Sequence, residues 1–575
     1  MNKLFIIMIY FCFFISFVNA CEKSPEKSLK ELSLRQKIAQ LCVVAAATCF
    51  DQPTEALASS LKASPYNMDE EYISSLIQNY RIGGIIFLYK SSPEAQITAT
   101  QKFQSSSKIP LFIMQDAEWG LDMRLGIDPK KIVRYPRAMT LGAISDTNII
   151  YEVAVEIGKQ CAALGVHMNL APVLDVNNNK ANPVIHMRSF GDNPESVAKR
   201  GILFIRGLQD GGVLTCAKHF PGHGDTAIDS HLALPHMHHD RARLDSVELA
   251  PFKKAIKNQV DAIMLAHIVV PSLDKTALPA TLSQTIITDL LQKELGFHGL
   301  IITDGLGMDA VSKNYEAGTL ELAAFLAGND ILLCPLDVPK AIDLIEQEIL
   351  SGRVSEQELD RRVLKVLQAK NIIFKKQKKQ KNTARSTDFF VSQYALELQK
   401  KAYRAAVTIF KQDQATIFSP ELVETSFFVH IGNLPEEILC KLIKNKKSKP
   451  QKCTAEFLDC ELDYCMQEAQ KADTVIIAIG DMNTNISKNF GISRNLVRFI
   501  KQLRSMGKKT VVVLFGTPYS VELFGDADTC IVAYEDIPVM QEAIFDLLCG
   551  RLQATAKLPV RVNTVTINTS DIDSD

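Results

Sequence analysis

The sequence predicts an α/β protein: an N-terminal (β/α)8 TIM-type barrel followed by a smaller doubly wound α/β sandwich domain. Three observations carry this. Short, unbroken apolar runs alternate with helical stretches, as in a parallel sheet covered on both faces. Seven or eight such units within about 340 residues favour closure into a barrel over an open sheet. A charged, polar stretch then separates them from a second, shorter α/β alternation. The 575 residues accommodate both domains.

Taken in order, residues 1–20 read MNKLFIIMIYFCFFISFVNA, with Lys3, an apolar stretch over 4–18 and a small residue, Ala20, before Cys21. This is the layout of a secretory signal peptide, and its apolar run is short for a bilayer span. Cys21 after Ala20 resembles the lipid acceptor of bacterial lipoproteins. The expectation is export in a bacterium. The protein is then periplasmic or attached to a membrane through lipidated Cys21; cleavage after Ala20 without lipid stays open.

The barrel is expected over residues 28–372. Ser33 and Gln36 have the spacing of a capping box and open its first amphipathic helix. Apolar runs at 82–87, 111–114, 166–170, 213–216, 262–266, 300–302 and 330–333 read as strands, with helices at 148–163, 195–208 and 244–257 between them. Residues 373–390 are charged and polar and form the expected linker. The second domain, 391–562, has strands at 474–478, 510–515 and 529–533 and a helix at 495–505. A polar tail, 563–575, closes the chain.

Charge is balanced, 64 Lys and Arg against 65 Asp and Glu, so no global field steers the protein to nucleic acid. The basic run KKQKKQK at 375–381 reads as solvated linker. Without Cys12 and Cys21, eleven of the 13 cysteines remain, in no disulfide framework or zinc spacing. Cys453, Cys460 and Cys465 form the one cluster, without a close-spaced pair. The cysteines read as small buried apolar residues.

In a barrel of this kind chemistry collects at the C-terminal strand ends. Residues 111–114 lead into Asp116, Glu118 and Arg124; 166–170 into Asp175 and later Arg188; 262–266 into His267; and 300–302 into Thr303, Asp304 and Gly305. Residues 213–216 lead into KHFPGHGDTAIDSH, Lys218 to His231, read as the loop leaving the strand. His219 and His223 straddle Pro221 and Gly222, so they cannot share a helix face as zincin ligands do. No metal and no cofactor are expected.

Asp116 and Glu118 with Arg124 and Leu125, NLAPVLDV at 169–176, RSFG at 188–191, KHFPGHGD at 218–225 with DSH at 229–231, and ITDGLGMDAV at 302–311 stand in this order. The ordered set resembles glycoside hydrolase family 3, in its bacterial β-N-acetylglucosaminidase (β-N-acetylhexosaminidase) subfamily, over roughly residues 32–367. The resemblance implies a retaining, exo-acting enzyme. It would remove terminal β-linked N-acetylglucosamine from peptidoglycan fragments or related oligosaccharides through a glycosyl-aspartate intermediate.

By motif position, Asp304 is the implied nucleophile and His231, paired with Asp229, the implied acid/base. Asp116, Arg124, Arg188, Lys218 and His219 would bind the sugar, with Met308 against its apolar face. The chemistry agrees: an oxocarbenium-like transition state needs a carboxylate on one face and a proton donor on the other. An extended Asp-x-His places both side chains on one side of the chain, and an unperturbed imidazole titrates near ~6.5. Asp309 is the competing carboxylate, five residues into the loop. Trp119 stands where many relatives have a second glycine, and stacking on sugar or packing both remain open for it. So do a β-N-acetylglucosaminide phosphorylase, a β-glucosidase of the same family and a non-catalytic sugar-binding lipoprotein.

Overall fold

The computed structural model describes residues 23–46, 70–88, 90–125, 130–227, 233–379, 387–414, 416–432 and 451–562. They form two compact units. The first comprises the described residues up to Tyr135, with Tyr151–Asp175 and Gly201–Ala395. The second takes Pro136–Ile150, Val176–Arg200 and the described residues from Leu396 onward. Neither unit is contiguous in sequence.

The first unit is a ring of eight parallel strands: β1 (Cys42–Ala46), β2 (Gly84–Phe87), β3 (Phe112–Gln115), β4 (Met168–Asn169), β5 (Leu214–Phe220), β6 (Ala262–Leu265), β7 (Leu300–Thr303) and β8 (Leu332–Leu333). Each pairs with its sequence neighbour from β1 to β7, and β8 pairs with β1. An Ile302–Ile331 bridge joins β7 to the residue before β8 and completes the ring. Every residue of these strands is buried, which is why they read as continuous apolar runs rather than alternating ones.

Local signals act where the sequence puts them. Ser33 Oγ accepts from Gln36 N and Gln36 Oε1 from Ser33 N, forming the capping box on helix Leu34–Ala39. The helix ends after six residues, and β1 begins at Cys42. At the other end of the unit, helix Glu356–Lys379 runs beyond position 372. Its apolar positions Val363, Val366, Leu367 and Ile373 keep helical spacing and are buried. The expected linker is therefore helical in its first seven residues. The segment 244–257 is two helices, Arg241–Ser246 and Leu249–Lys257, broken at Val247 by non-helical backbone.

The second unit holds a six-stranded sheet in the order β11–β10–β12–β13–β14–β9. Its strands are β9 (Thr408–Lys411), β10 (Phe427–Ile431), β11 (Gln451–Cys453), β12 (Thr474–Ile479), β13 (Lys509–Leu514) and β14 (Thr529–Val532), with β9 antiparallel to its neighbour. Helix Arg494–Ser505 buries Leu496, Phe499, Ile500 and Leu503, one helical stripe. Among the described residues no helix is long and apolar enough to cross a membrane. The expected signal peptide, Cys21 and the polar tail lie outside the described residues.

Candidate active site

β5 carries the first correction: it does not stop at Cys216 but runs through Lys218 and His219 to Phe220. Both polar residues are buried and are thus held as rigidly as the strand. Leu174 N donates to Lys218 O at 2.7 Å and Lys218 N to Pro172 O at 3.1 Å, tying the chain after β4 to β5. Gly222, at φ +127°, turns the chain directly afterwards; a Cβ there would lie 2.7 Å from Glu248 Cβ, so only glycine fits.

Asp116 follows β3 and is the hub of an ion network. Lys218 Nζ donates to Asp116 Oδ1 at 2.8 Å and lies 2.9 Å from Glu118 Oε1. Arg124, on the turn Asp122–Leu125, donates Nη2–H to Asp116 Oδ2 and Nη1–H to Leu88 O at 2.8 Å. Burial would raise the Asp116 carboxyl, but Lys218 and Arg124 outweigh it and hold it far below the ordinary carboxylate range. Asn169, the last residue of β4, clamps Ala117 through both its amide atoms at 3.0 and 3.1 Å. The loop after β3 is therefore fixed next to the network.

Asp304 follows β7. Its N–H donates to Leu265 O at 3.0 Å, and Oδ1 accepts from Gly305 N at 2.8 Å. Leu306 N donates to Leu333 O at 2.9 Å, so this loop is braced from β6 and from β8. Burial acts to raise the carboxyl. The positive fields of His219 and His267, the Gly305 amide and the Lys218 ammonium outweigh burial and keep it lowered. A carboxylate that stays ionised while partly buried is in the state a nucleophile needs.

Two residues to which the sequence motifs give no role complete the centre. Asp175 Oδ2 accepts from His219 Nδ1 at 2.7 Å, while its Oδ1 accepts from the backbone N of His219 and of His223 at 3.2 and 2.7 Å. A carboxylate below its ordinary range only accepts, so His219 carries its proton on Nδ1. His267 Nε2 lies 3.0 Å from Gly305 O and Nδ1 2.8 Å from Thr281 Oγ1. A carbonyl only accepts, so Nε2 is protonated in either charge state of the ring, and His267 fixes the turn beside Asp304. The sequence signals for Asp175 are its place after the strand 166–170 and a carboxylate inside the otherwise apolar stretch 170–176.

Of the other candidates, Met308 donates its N–H to Gly305 O at 3.0 Å and caps the turn Asp309–Ser312. Asp309 pairs with Lys313 at 2.8 Å on a solvent-facing turn, away from the buried set. Arg188 lies in the 3₁₀ turn His186–Arg188, within the second compact unit. Trp119 is partly buried, and its carbonyl accepts from Tyr135 N at 3.2 Å. Asp229 and His231 lie outside the described residues. On either side, Thr226 Oγ1 is 2.8 Å from His223 Nδ1, and Asp225 Oδ2 is 2.7 Å from His239 Nε2.

Asp225, His239 and Glu248 bring ligand-type atoms within 4.8 Å of one another. Arg243 already supplies positive charge there, bonding both Glu248 oxygens at 3.0 and 3.1 Å and lying 3.5 Å from Asp225. The group is an ion-pair cluster.

The barrel rim thus presents an ionised Asp304, a tautomer-fixed His219 and a Lys–Arg–carboxylate network at the ends of the alternate strands β7, β5 and β3. Such alternating charged donors and acceptors suit a ligand rich in hydroxyl groups, held beside a carboxylate that can attack it. The model of the glycosyl hydrolase family 3 N-terminal domain matches residues 33–369. Beta-hexosaminidase A of Pseudoalteromonas piscicida is 29% identical over 554 residues, spanning 85% of this chain and 91% of that protein. A beta-hexosaminidase of Alkalilimnicola ehrlichii is 32% identical over 283 residues, 47% of this chain and 78% of its own length. The solved structure of a glycoside hydrolase family 3 beta-N-acetylglucosaminidase from Paenibacillus superposes with a TM-score of 0.75 at 30% identity, covering 93% of this chain and all of that one.

Proposed function

The chain belongs to glycosyl hydrolase family 3, and from that premise we propose a retaining, exo-acting mechanism centred on Asp304. The protein is a glycoside hydrolase acting on N-acetylglucosamine, of the β-N-acetylhexosaminidase class. In our reading Asp304 attacks the anomeric carbon of a terminal β-linked N-acetylglucosamine while His231, oriented by Asp229, protonates the departing oxygen. The glycosyl ester is then hydrolysed by a water that His231 deprotonates. Asp116, Lys218, Arg124 and His219 bind the sugar hydroxyls, with Met308 against the apolar face; Arg188 is a further sugar-binding residue in this reading. The observation that carries this is Asp304, ionised at the end of β7 and within the field of His219 and Lys218. The natural substrates in this reading are peptidoglycan fragments or related oligosaccharides. The protein meets them outside the cytoplasm, anchored through lipid on Cys21.

Product analysis on chitobiose and a peptidoglycan disaccharide, with an aryl N-acetyl-β-glucosaminide and an aryl glucoside as controls, tests the reading. The first-formed sugar should be the β-anomer of N-acetylglucosamine by proton NMR, with the glucoside cut far more slowly. An α-anomer appearing first would make the enzyme inverting. A sugar 1-phosphate in phosphate buffer would make it a phosphorylase, and equal rates on the glucoside would favour a β-glucosidase. Bound sugar that is never cleaved would leave only a binding protein. Labelling with a radioactive fatty acid, lost in Cys21→Ser, tests the anchor.

A further inference from the structure

In the second compact unit the sulfurs of Cys453 and Cys465 face each other at 3.6 Å, both buried in the core of that unit. Cys453 ends β11, the three-residue strand at the edge of the sheet, and Cys465 lies on helix Asp459–Ala469. We propose that Cys453 and Cys465 are a disulfide site, closed by exchange with a disulfide-bearing oxidant.

The chain between them is already arranged for closure. Glu461 accepts from Thr454 N at 2.8 Å, Thr454 Oγ1 at 2.7 Å and Leu458 N at 2.7 Å. Thr454 is the neighbour of Cys453, and Glu461 stands one helical turn before Cys465, on the same face. The carboxylate therefore fixes the residue after one cysteine to the helix face that carries the other. Bonding requires the sulfurs to close from 3.6 Å to about 2.05 Å. The bond would tie the edge strand, which among the described residues pairs only with β10, to the helix.

The step balances. One thiolate attacks the oxidant's disulfide, forming a mixed disulfide and releasing one thiol; the second thiolate displaces the other. Two electrons and two protons leave the cysteine pair, and the oxidant becomes two thiols. The hydrogen bond shared with Cys453, and then burial, push the Cys465 thiol well above its ordinary range. Both sulfurs are buried in the folded unit, out of reach of a disulfide-bearing oxidant, so the bond closes while this segment is folding. Cys460, exposed on the same helix, is an internal control.

The full chain is refolded with oxidised and reduced glutathione, alkylated in denaturant without reduction, and peptide-mapped. The expected product is a Cys453–Cys465 cross-linked peptide lighter by two hydrogen atoms, with Cys460 alkylated. Reductant present throughout refolding should lower the melting temperature of the second unit by about 5–10 °C, the scale of a short disulfide loop. It should have no such effect on Cys453→Ser. Alkylation of both thiols in the oxidant-refolded chain, or a bond to Cys460, overturns the proposal. The peptide map uses the unaltered chain, so its outcome does not depend on whether the variant folds.

Discussion

Lys218 Nζ lies 2.8 Å from Asp116 Oδ1, although 102 residues separate them, and its side chain is 3% exposed. The contact joins the end of β5 to the loop after β3, and the same ammonium reaches Glu118 at 2.9 Å. It is an ion pair built into the barrel rim.

Removing it should show in stability as well as in binding. Lys218→Met takes the ammonium from two buried carboxylates, Asp116 and Glu118, a loss of roughly 3–5 kcal/mol for a broken buried pair, and raises KM for the sugar. The pH dependence follows from the lowered Asp116 carboxyl. Its stabilisation is complete above the ordinary value of 3.8 and fades as pH falls toward the folded-state value. The gap between parent and variant in urea melts should thus be largest near neutrality and shrink below that point. A gap that widens in acid would mean Asp116 is not held ionised by Lys218.

Asp304→Asn keeps the shape of the side chain and the bond from Gly305 but cannot form a glycosyl ester. The expected loss in kcat is about four orders of magnitude, the scale seen when a member of a catalytic unit is removed, with the thermal melt little changed. Retention of a tenth of the parental rate or more would move the nucleophile elsewhere. Asp309, paired with Lys313 at 2.8 Å, is the comparison variant and should lose little.

His231→Ala separates protonation from attack. With a poor leaving group such as a sugar alcohol, kcat/KM should fall by about 10²–10⁴, the scale of general acid catalysis. With a nitrophenyl leaving group, which departs unprotonated, the first step should be nearly unchanged. Equal losses on both substrates would remove His231 as the acid.

Most barrel strands are legible because a strand buried on both faces is a run of apolar residues between turn signals, as at Ala262–Leu265 and Leu300–Thr303. β1 is hidden because only Gln40 and Leu41 separate it from helix Leu34–Ala39, so its apolar residues merge with the helical pattern. Lys218 and His219 look like loop because charge at a strand end resembles charge after it; cross-chain partners make them strand. Asp304 is legible because strand, carboxylate and Gly305 are adjacent. The Asp175–His219 contact is not, since it joins residues 44 apart and no local spacing encodes it. Nor does any composition shift mark 136–150 or 176–200 as parts of the second unit.

The far rim of the barrel gives the last prediction. Lys370, on helix Glu356–Lys379, donates to Gln40 Oε1 at 2.8 Å and lies 5.7 Å from the centre of the Phe112 ring. Gln40 and Phe112 stand at the N-terminal ends of β1 and β3, opposite Asp304. Burial lowers the Lys370 ammonium from its ordinary 10.5 to about 7. Between those values the unfolded chain holds a proton that the folded chain has released. Stability from this group therefore rises with pH across that window, by at most about 1.4 kcal/mol per pH unit. In Lys370→Met nothing titrates there and the slope disappears. In urea melts at pH 6.5, 8 and 9.5 the parent should gain steadily on the variant, while kcat at neutral pH stays equal. A constant difference at all three would mean that Lys370 keeps its charge inside the fold, stabilised by Gln40 and the ring.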